Sequence, residues 1–215
     1  LSFIPKIIGV CVVLVIAVPL GITFAALTRG GRRRGVEVGY TAVSGIFAVI
    51  PEFLFGVALV YLFAVITHIL PVAGRSGPAS YVLPVAALAL GGIAALSRIV
   101  RAEALGVLDT DYIRTARAKR MPSALLYLRH ALPNLLTPTL TMAGIMLGSL
   151  IAGTILVESI FAWPGLGQTL VSSITNKDYP LAQTLVVVYG AIVLTINLIV
   201  DIVLGLVDPR SKITE

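Results

Sequence analysis

The side chains that could do chemistry are few in this sequence, and their spacing argues against catalysis. Only 12% of the 215 residues are charged. Neither His68 nor His130 opens an HExxH pattern, which would set two imidazoles on one helix face for zinc. Cys11 stands alone inside an apolar run, so no disulfide can form within the chain and metal sites built from Cys clusters are excluded. Gly30-Gly31 and Gly91-Gly92 lack the neighbouring Lys and Ser/Thr that would hold phosphates. Glu52 and Asp201 are the only acids within or near the apolar runs, and they do not make the Asp/Asp pair on facing helices that an intramembrane protease needs. The reading is a chain with no catalytic residues and no metal site, whose function must come from shape and position.

The elements that would position these residues are set by composition. The chain is 58% hydrophobic with mean hydropathy +1.01, far more apolar than a soluble domain. A run of about 20 apolar residues crosses a ~30 Å hydrocarbon core as a helix, and backbone groups in lipid must bond internally. The expected fold is therefore all-α, a polytopic transmembrane helical bundle forming a single domain over 1–215. Net charge is +6 and the pI is about 9.8. In a membrane protein this reflects basic loops held on the cytoplasmic side, and it excludes a nucleic-acid partner in favour of the lipid membrane.

Five spans are expected, at about 7–27, 41–69, 81–100, 135–157 and 181–207, with the polar loop 101–134 between the third and fourth. Pro51-Glu52 interrupts the second. Placing the long basic loops and the tail on one face gives that face thirteen of the sixteen Lys and Arg residues. By the positive-inside bias this face is cytoplasmic, with Leu1 external and Glu215 cytoplasmic. The chain opens on Leu rather than Met, and an external start with an odd span count fits a missing upstream helix.

Glu52 has two readings. An ionisable group inside a span costs about 2.5 to 3.5 kcal/mol on insertion scales and normally faces the bundle interior, so it would line a substrate pathway. Alternatively it answers backbone donors that Pro51 sets free, or a neighbouring Arg. Asp201 is expected to pair with a loop Arg. Gly144 and Gly148 make a GxxxG spacing, which permits close helix approach either within this chain or against a second membrane subunit.

The loop holds the largest basic cluster, Arg101, Arg114, Arg117, Lys119, Arg120 and Arg129. Asp109 or Thr110 is expected to cap a short helix from Asp111 to Arg120 that ends before Pro122, followed by a second from Ser123 to Leu132. Helical spacing brings Tyr112, Ala116 and Lys119 near one face and Arg114 and Arg117 onto another. The residues alone leave open a solvated linker held by anionic lipid or a docking element.

This loop resembles the EAA loop of bacterial ABC-transporter permeases. With Ala116 on the second Ala of that pattern, Arg120 falls on its Gly, His130 on its Ile, and Leu132-Pro133 on its final Leu-Pro. DYIRTARAK, RHALPN and TPTLT, together with PLGITFAALTRG, IPEFLFGVALVYLFAV, LPVAGR, ESIFAWPGLGQ, DYPLAQ and the closing DPR, are similar to the first permease subunit of the dipeptide, oligopeptide and nickel uptake branch. The sequence departs at Arg120, where the family has Gly, and it lacks the earlier helix and external domain usual in that branch.

The resemblance implies a type I importer fold. Asp111, Tyr112, Arg114, Thr115, Ala116, Arg117 and Lys119 would form the coupling surface for two cytoplasmic ABC ATPase subunits or domains. ATP and magnesium would be bound by those partners, leaving no cofactor in this chain. A second homologous permease would complete the pathway, and an external solute-binding protein would deliver cargo near Glu158 to Tyr179. There Phe161, Trp163, Pro164 and Gly165 would form an aromatic plug, unless Trp163 is only an interfacial anchor. Peptides lead as cargo, with nickel and haem also handled by the branch. An ion-coupled secondary transporter, or a membrane subunit that transports nothing, are the rival classes.

Overall fold

The computed structural model describes residues 3–31, 33–71, 77–119, 121–122, scattered positions between 125 and 145, and 155–207. All regular structure among them is helical: α1 (Phe3–Thr28), α2 (Arg34–Val49), α3 (Glu52–Leu59), α4 (Val82–Leu108), α5 (Asp111–Ala118), α6 (Ile155–Ile160), α7 (Leu166–Thr175) and α8 (Tyr179–Val207). A π-helical stretch, Val60–Ile66, prolongs α3, and a 3-10 turn, Pro78–Tyr81, leads into α4. Pro5–Thr28, Pro78–Leu108 and Tyr179–Ile199 are each long and apolar enough to cross a membrane. The fold is an all-α transmembrane bundle.

The second apolar run is not one straight rod. Arg34–Val49 and Glu52–Ile66 meet at 94°. Pro51 has no N–H to continue the ladder, and its ring drives the preceding residue out of the helical region. Ile50 is accordingly extended, with φ −68° and ψ 123°. The Pro51 carbonyl then accepts from Leu54 and Phe55 N–H at 3.0 and 3.4 Å and starts α3. Pro19, by contrast, stays inside an unbroken α1. The third run continues past Val100 to Leu108, so the first eight residues expected in the loop are the last turns of α4. The fourth expected span lies mostly outside the described residues.

The centre of the bundle is the α1–α4 pair. Val10, Val13, Ala17, Ala25 and Thr28 are buried along one stripe of α1, and Ala89, Leu96, Val100, Ala104 and Leu108 along one stripe of α4. Lipid tails are as apolar as these residues, so close packing rather than escape from water must hold the helices together. Small residues permit it. A side-chain carbon at Gly21 would stand 2.7 Å from the Ser97 carbonyl and 2.7 Å from Val100 Cβ. At the other extreme, no residue in the membrane-crossing stretch of α8 is buried.

Candidate functional site

The end of the bundle that carries Arg29, Arg33, Arg34, Arg101 and Lys119 is built around the root of α5. The Arg29 guanidinium donates to Asp109 Oδ1 from Nε at 3.1 Å and from Nη2 at 2.8 Å, tying the end of α1 to the turn before α5. Arg101 of α4 donates from Nη2 to Thr28 Oγ1 at 2.9 Å and to Glu37 Oε1 at 2.8 Å, and it lies over the Tyr40 ring, 5.8 Å from its centroid. Tyr40 in turn donates to Ser97 Oγ at 2.9 Å and stacks on Phe24 with centroids 4.2 Å apart. Three helices are thus locked together by planar, multidentate groups just where α5 departs.

Thr110 begins α5 through its backbone, its carbonyl accepting from Arg114 N–H at 3.1 Å. Its hydroxyl turns back to the Val107 carbonyl, and Asp109 is engaged by Arg29, so neither expected cap works through its side chain. The helix closes with Lys119 N–H on Thr115 O and Met121 N–H on Ala116 O.

α5 has two faces. Ile113 (0% exposed) and Ala116 (7%) are buried with Ala25, Ala104, Leu108, Leu126 and Leu135. Asp111, Tyr112, Arg114, Thr115 and Lys119 are exposed. Ala116, expected beside Tyr112 and Lys119, is therefore turned into the chain, because the Ile113–Ala116 pair supplies the apolar side that an eight-residue helix needs to dock. Ile113 was not singled out in the sequence, although its three-residue spacing from Ala116 marks it. Tyr112 OH accepts from Asn134 Nδ2 at 3.1 Å, bracing the outward ring from across the loop. The side chain of Arg117 and most of the second expected loop helix lie outside the described residues.

At the opposite end, α6 and α7 form an arch around one carboxylate. Glu158 Oε2 accepts from the N–H groups of Gly167 at 2.9 Å and Gln168 at 3.3 Å, which are free amides in the first turn of α7. Its Oε1 lies 3.2 Å from Lys6 Nζ of α1. The carboxylate fills the space where a side chain at Gly165 would stand, and one at Gly167 would come within 2.8 Å of Oε2. Phe161 (2% exposed) packs with Phe55, Leu83, Ala87, Leu88 and Val157. Trp163 (3%) meets Tyr81 edge-on at 4.8 Å, while Pro164 is exposed. Phe161 and Trp163 thus sit in packing within the chain, and neither projects from it. The sequence singled out the aromatic residues of this arch and missed the Glu158–Lys6 pair.

Glu52 is the first residue of α3, half-buried, where an acid interacts favourably with the helix dipole. A cavity of about 380 Å³ opens between α1, α2 and α4, lined by Phe24, Tyr40, Phe47, Leu90, Ile93 and their neighbours. Its walls carry no charge.

The geometry defines a polytopic helical membrane protein with a small amphipathic helix docked at one end of the bundle. Residues 17–213 match the family described as "Binding-protein-dependent transport system inner membrane component", and the chain belongs to that family. It is 36% identical over 200 residues to the dipeptide transport system permease protein DppB of Bacillus subtilis, covering 93% of this chain and 65% of that protein. It is 38% identical over 194 residues to the glutathione transport system permease protein GsiC of Pectobacterium atrosepticum, covering 90% and 62%. The chain thus spans less than two thirds of the length of these curated relatives. Its fold matches a chain of the MetNI methionine ABC transporter in inward-facing conformations, with TM-score 0.75 at 21% identity over 95% of this chain and 91% of that one.

Proposed function

We propose that this chain forms half of the translocation pathway of an ATP-driven importer of small solutes, most suitably di- or oligopeptides, and is itself no enzyme. The observation that carries the reading is α5, whose apolar face is sealed into the bundle while Tyr112, Thr115 and Lys119 face outward. A short helix held this firmly at its root, by Arg29–Asp109 and by Ile113, can transmit a push into the spans. The partners would be two cytoplasmic ABC ATPase subunits at α5, a second homologous permease, and an external solute-binding protein at the arch. ATP and magnesium belong to the ATPase partners. The basic end would be cytoplasmic, with Leu1 outside, Glu215 inside and five spans between them. Relatives named for dipeptide and glutathione transport support peptides as cargo.

Purification of the intact assembly from membranes tests this. Two ATPase copies and a second permease should accompany the chain, and ATP should drive peptide uptake into vesicles. A chain that moves solute alone under an ion gradient, or purifies with no ATPase touching Tyr112 to Lys119, would overturn the reading.

A further inference from the structure

The cavity between α1, α2 and α4 has no part in the import reading, and its walls define what would fit it. It holds about 380 Å³, and Gly39, Tyr40, Val43, Ser44 and Phe47 give it a side that runs about 12 Å along α2 at 1.5 Å per residue. Its other walls belong to membrane-crossing stretches, Leu20 and Phe24 to Pro5–Thr28, Leu90 and Ser97 to Pro78–Leu108. Gly39 and Val43 are exposed, so the cavity reaches the outside of the bundle. Nothing across from Gly39 comes within 4 Å of where its side chain would begin. The hydroxyl donors are all spent within the chain: Tyr40 OH donates to Ser97 Oγ at 2.9 Å, Ser97 Oγ to the Ala94 carbonyl at 3.1 Å, and Ser44 Oγ to the Tyr40 carbonyl at 2.6 Å. A peptide seated there would leave its own amides unpaired. A whole helix, about 10–12 Å across, would need roughly 1,000 Å³ over the same length. At about 30 Å³ for a group the size of a water molecule, the cavity instead admits on the order of a dozen methylenes in a row.

One end of the cavity is basic. Phe24 and Tyr40, stacked with centroids 4.2 Å apart, stand at the Arg29 end of α1, and Arg101 lies over the Tyr40 ring, 5.8 Å from its centroid. Arg101 is neutralised by Glu37 and Arg29 by Asp109. Arg33 and Arg34 are exposed, and neither makes an ion pair with a described residue. The Arg33 carbonyl accepts from Glu37 N–H at 3.1 Å, which sets the two arginines one turn before the Glu37–Arg101 pair and its Tyr40 contact. Arg29, Arg33, Arg34 and Arg101 thus face Glu37 and Asp109, four cations against two acids, an excess of two positive charges. The apolar face of α2 continues toward them: one turn before Tyr40 it carries Val36, and just ahead of the helix Arg33. Both arginines follow closely on the end of the crossing stretch Pro5–Thr28, the level of lipid headgroups.

We propose that this cavity is a binding site for one anionic phospholipid of the bilayer, an acyl chain filling the space between α1, α2 and α4 and the headgroup phosphate meeting Arg33 and Arg34. Guanidinium forks suit phosphate oxygens, and basic clusters beside a span draw anionic lipid. The seated chain supplies the packing that α2 lacks on this side, where dispersion contacts are otherwise missing. The site does not depend on what the assembly transports.

The test is native mass spectrometry of the assembly purified from membranes, stripped of lipid and titrated with phosphatidylglycerol or with phosphatidylcholine of the same acyl chains. Wild type should hold one phosphatidylglycerol per copy of this chain at least tenfold more tightly than phosphatidylcholine. Gly39→Leu, which puts a side chain into open space, should weaken both lipids about tenfold. Arg33→Gln with Arg34→Gln should bring phosphatidylglycerol down to the affinity of phosphatidylcholine and leave the latter unchanged. Equal wild-type affinity for the two lipids, unchanged binding in Gly39→Leu, or a preference for phosphatidylglycerol that survives loss of both arginines would overturn the site. A benzophenone side chain in place of Val43, irradiated in native membranes, should form its adduct with phospholipid. An adduct with another subunit would show that protein fills the groove and would overturn the site as well. The photo-adduct and the wild-type comparison of lipids decide even where Gly39→Leu fails to assemble.

Discussion

Lys6 and Glu158 form an ion pair with Nζ 3.2 Å from Oε1, and their side chains are only 5% and 6% exposed. No hydrogen bond reaches Oε1 from a described residue, so the charge of Lys6 is its compensation, while Oε2 is held by α7. Breaking such a buried pair from one side costs about 3–5 kcal/mol, because the other charge is left uncompensated. Lys6→Met should therefore lower the melting temperature of the complex sharply, and Lys6→Met with Glu158→Gln should recover part of the loss. A single Lys6→Met variant that melts like wild type would show that the pair contributes nothing.

Gly21 gives a second prediction, by contrast with Gly39. Alanine normally favours a helix over glycine by about 1 kcal/mol. At Gly39 nothing lies within 4 Å of the added carbon, so Gly39→Ala should raise stability by up to that amount. At Gly21 the carbon meets the Ser97 carbonyl at 2.7 Å, and the overpacking should cost about 1–3 kcal/mol. Heat denaturation of the two variants side by side should move in opposite directions.

Ala162 should respond to glycine. It ends α6 in the left-handed region at φ 46°, with Trp163 N–H on Glu158 O at 2.8 Å and Ala162 N–H on Ser159 O at 3.3 Å. A residue with a Cβ is strained there by about 1–2 kcal/mol, and glycine is the usual occupant of such a helix end. Ala162→Gly should thus stabilise by about 1 kcal/mol in thermal melts, and a loss of stability would contradict the assigned turn.

The two faces of α5 should separate in mutagenesis. Ile113→Ala empties a fully buried site and should cost about 2 kcal/mol or more in stability. Lys119→Glu, on the exposed face, should change stability by less than about 0.5 kcal/mol while reducing recovery of the ATPase subunits with the complex. Equal recovery of those subunits from Lys119→Glu and wild-type membranes would remove the outward face from the contact.

The helical membrane fold was legible because hydropathy is read over whole runs, and Pro51 announced the break that the structure makes at Ile50. The right angle at that break was not legible, since a proline says where a ladder ends and not which way the chain then goes. Ala116 was placed on the wrong face of α5 because spacing alone gives relative positions. Only the docking of Ile113 onto Leu108 and Ala104 fixes which side is inner. Lys6 and Glu158, like Arg29 and Asp109, are far apart in sequence, and nothing local announces a pair whose members meet through the packing of α1. The coupling surface is proposed through its resemblance to the EAA loop, which carries information that the composition of a basic loop does not.

α1 is gripped at both tips. Lys6 holds the arch and Arg29 holds the turn that launches α5, with about 35 Å of continuous helix between them. Such a strut has no slack: its middle is seated against α4 at Gly21, so a tilt imposed on one tip must be met by the other or must break a charged contact. Opposite ends of the bundle are in this way wired to one rigid member.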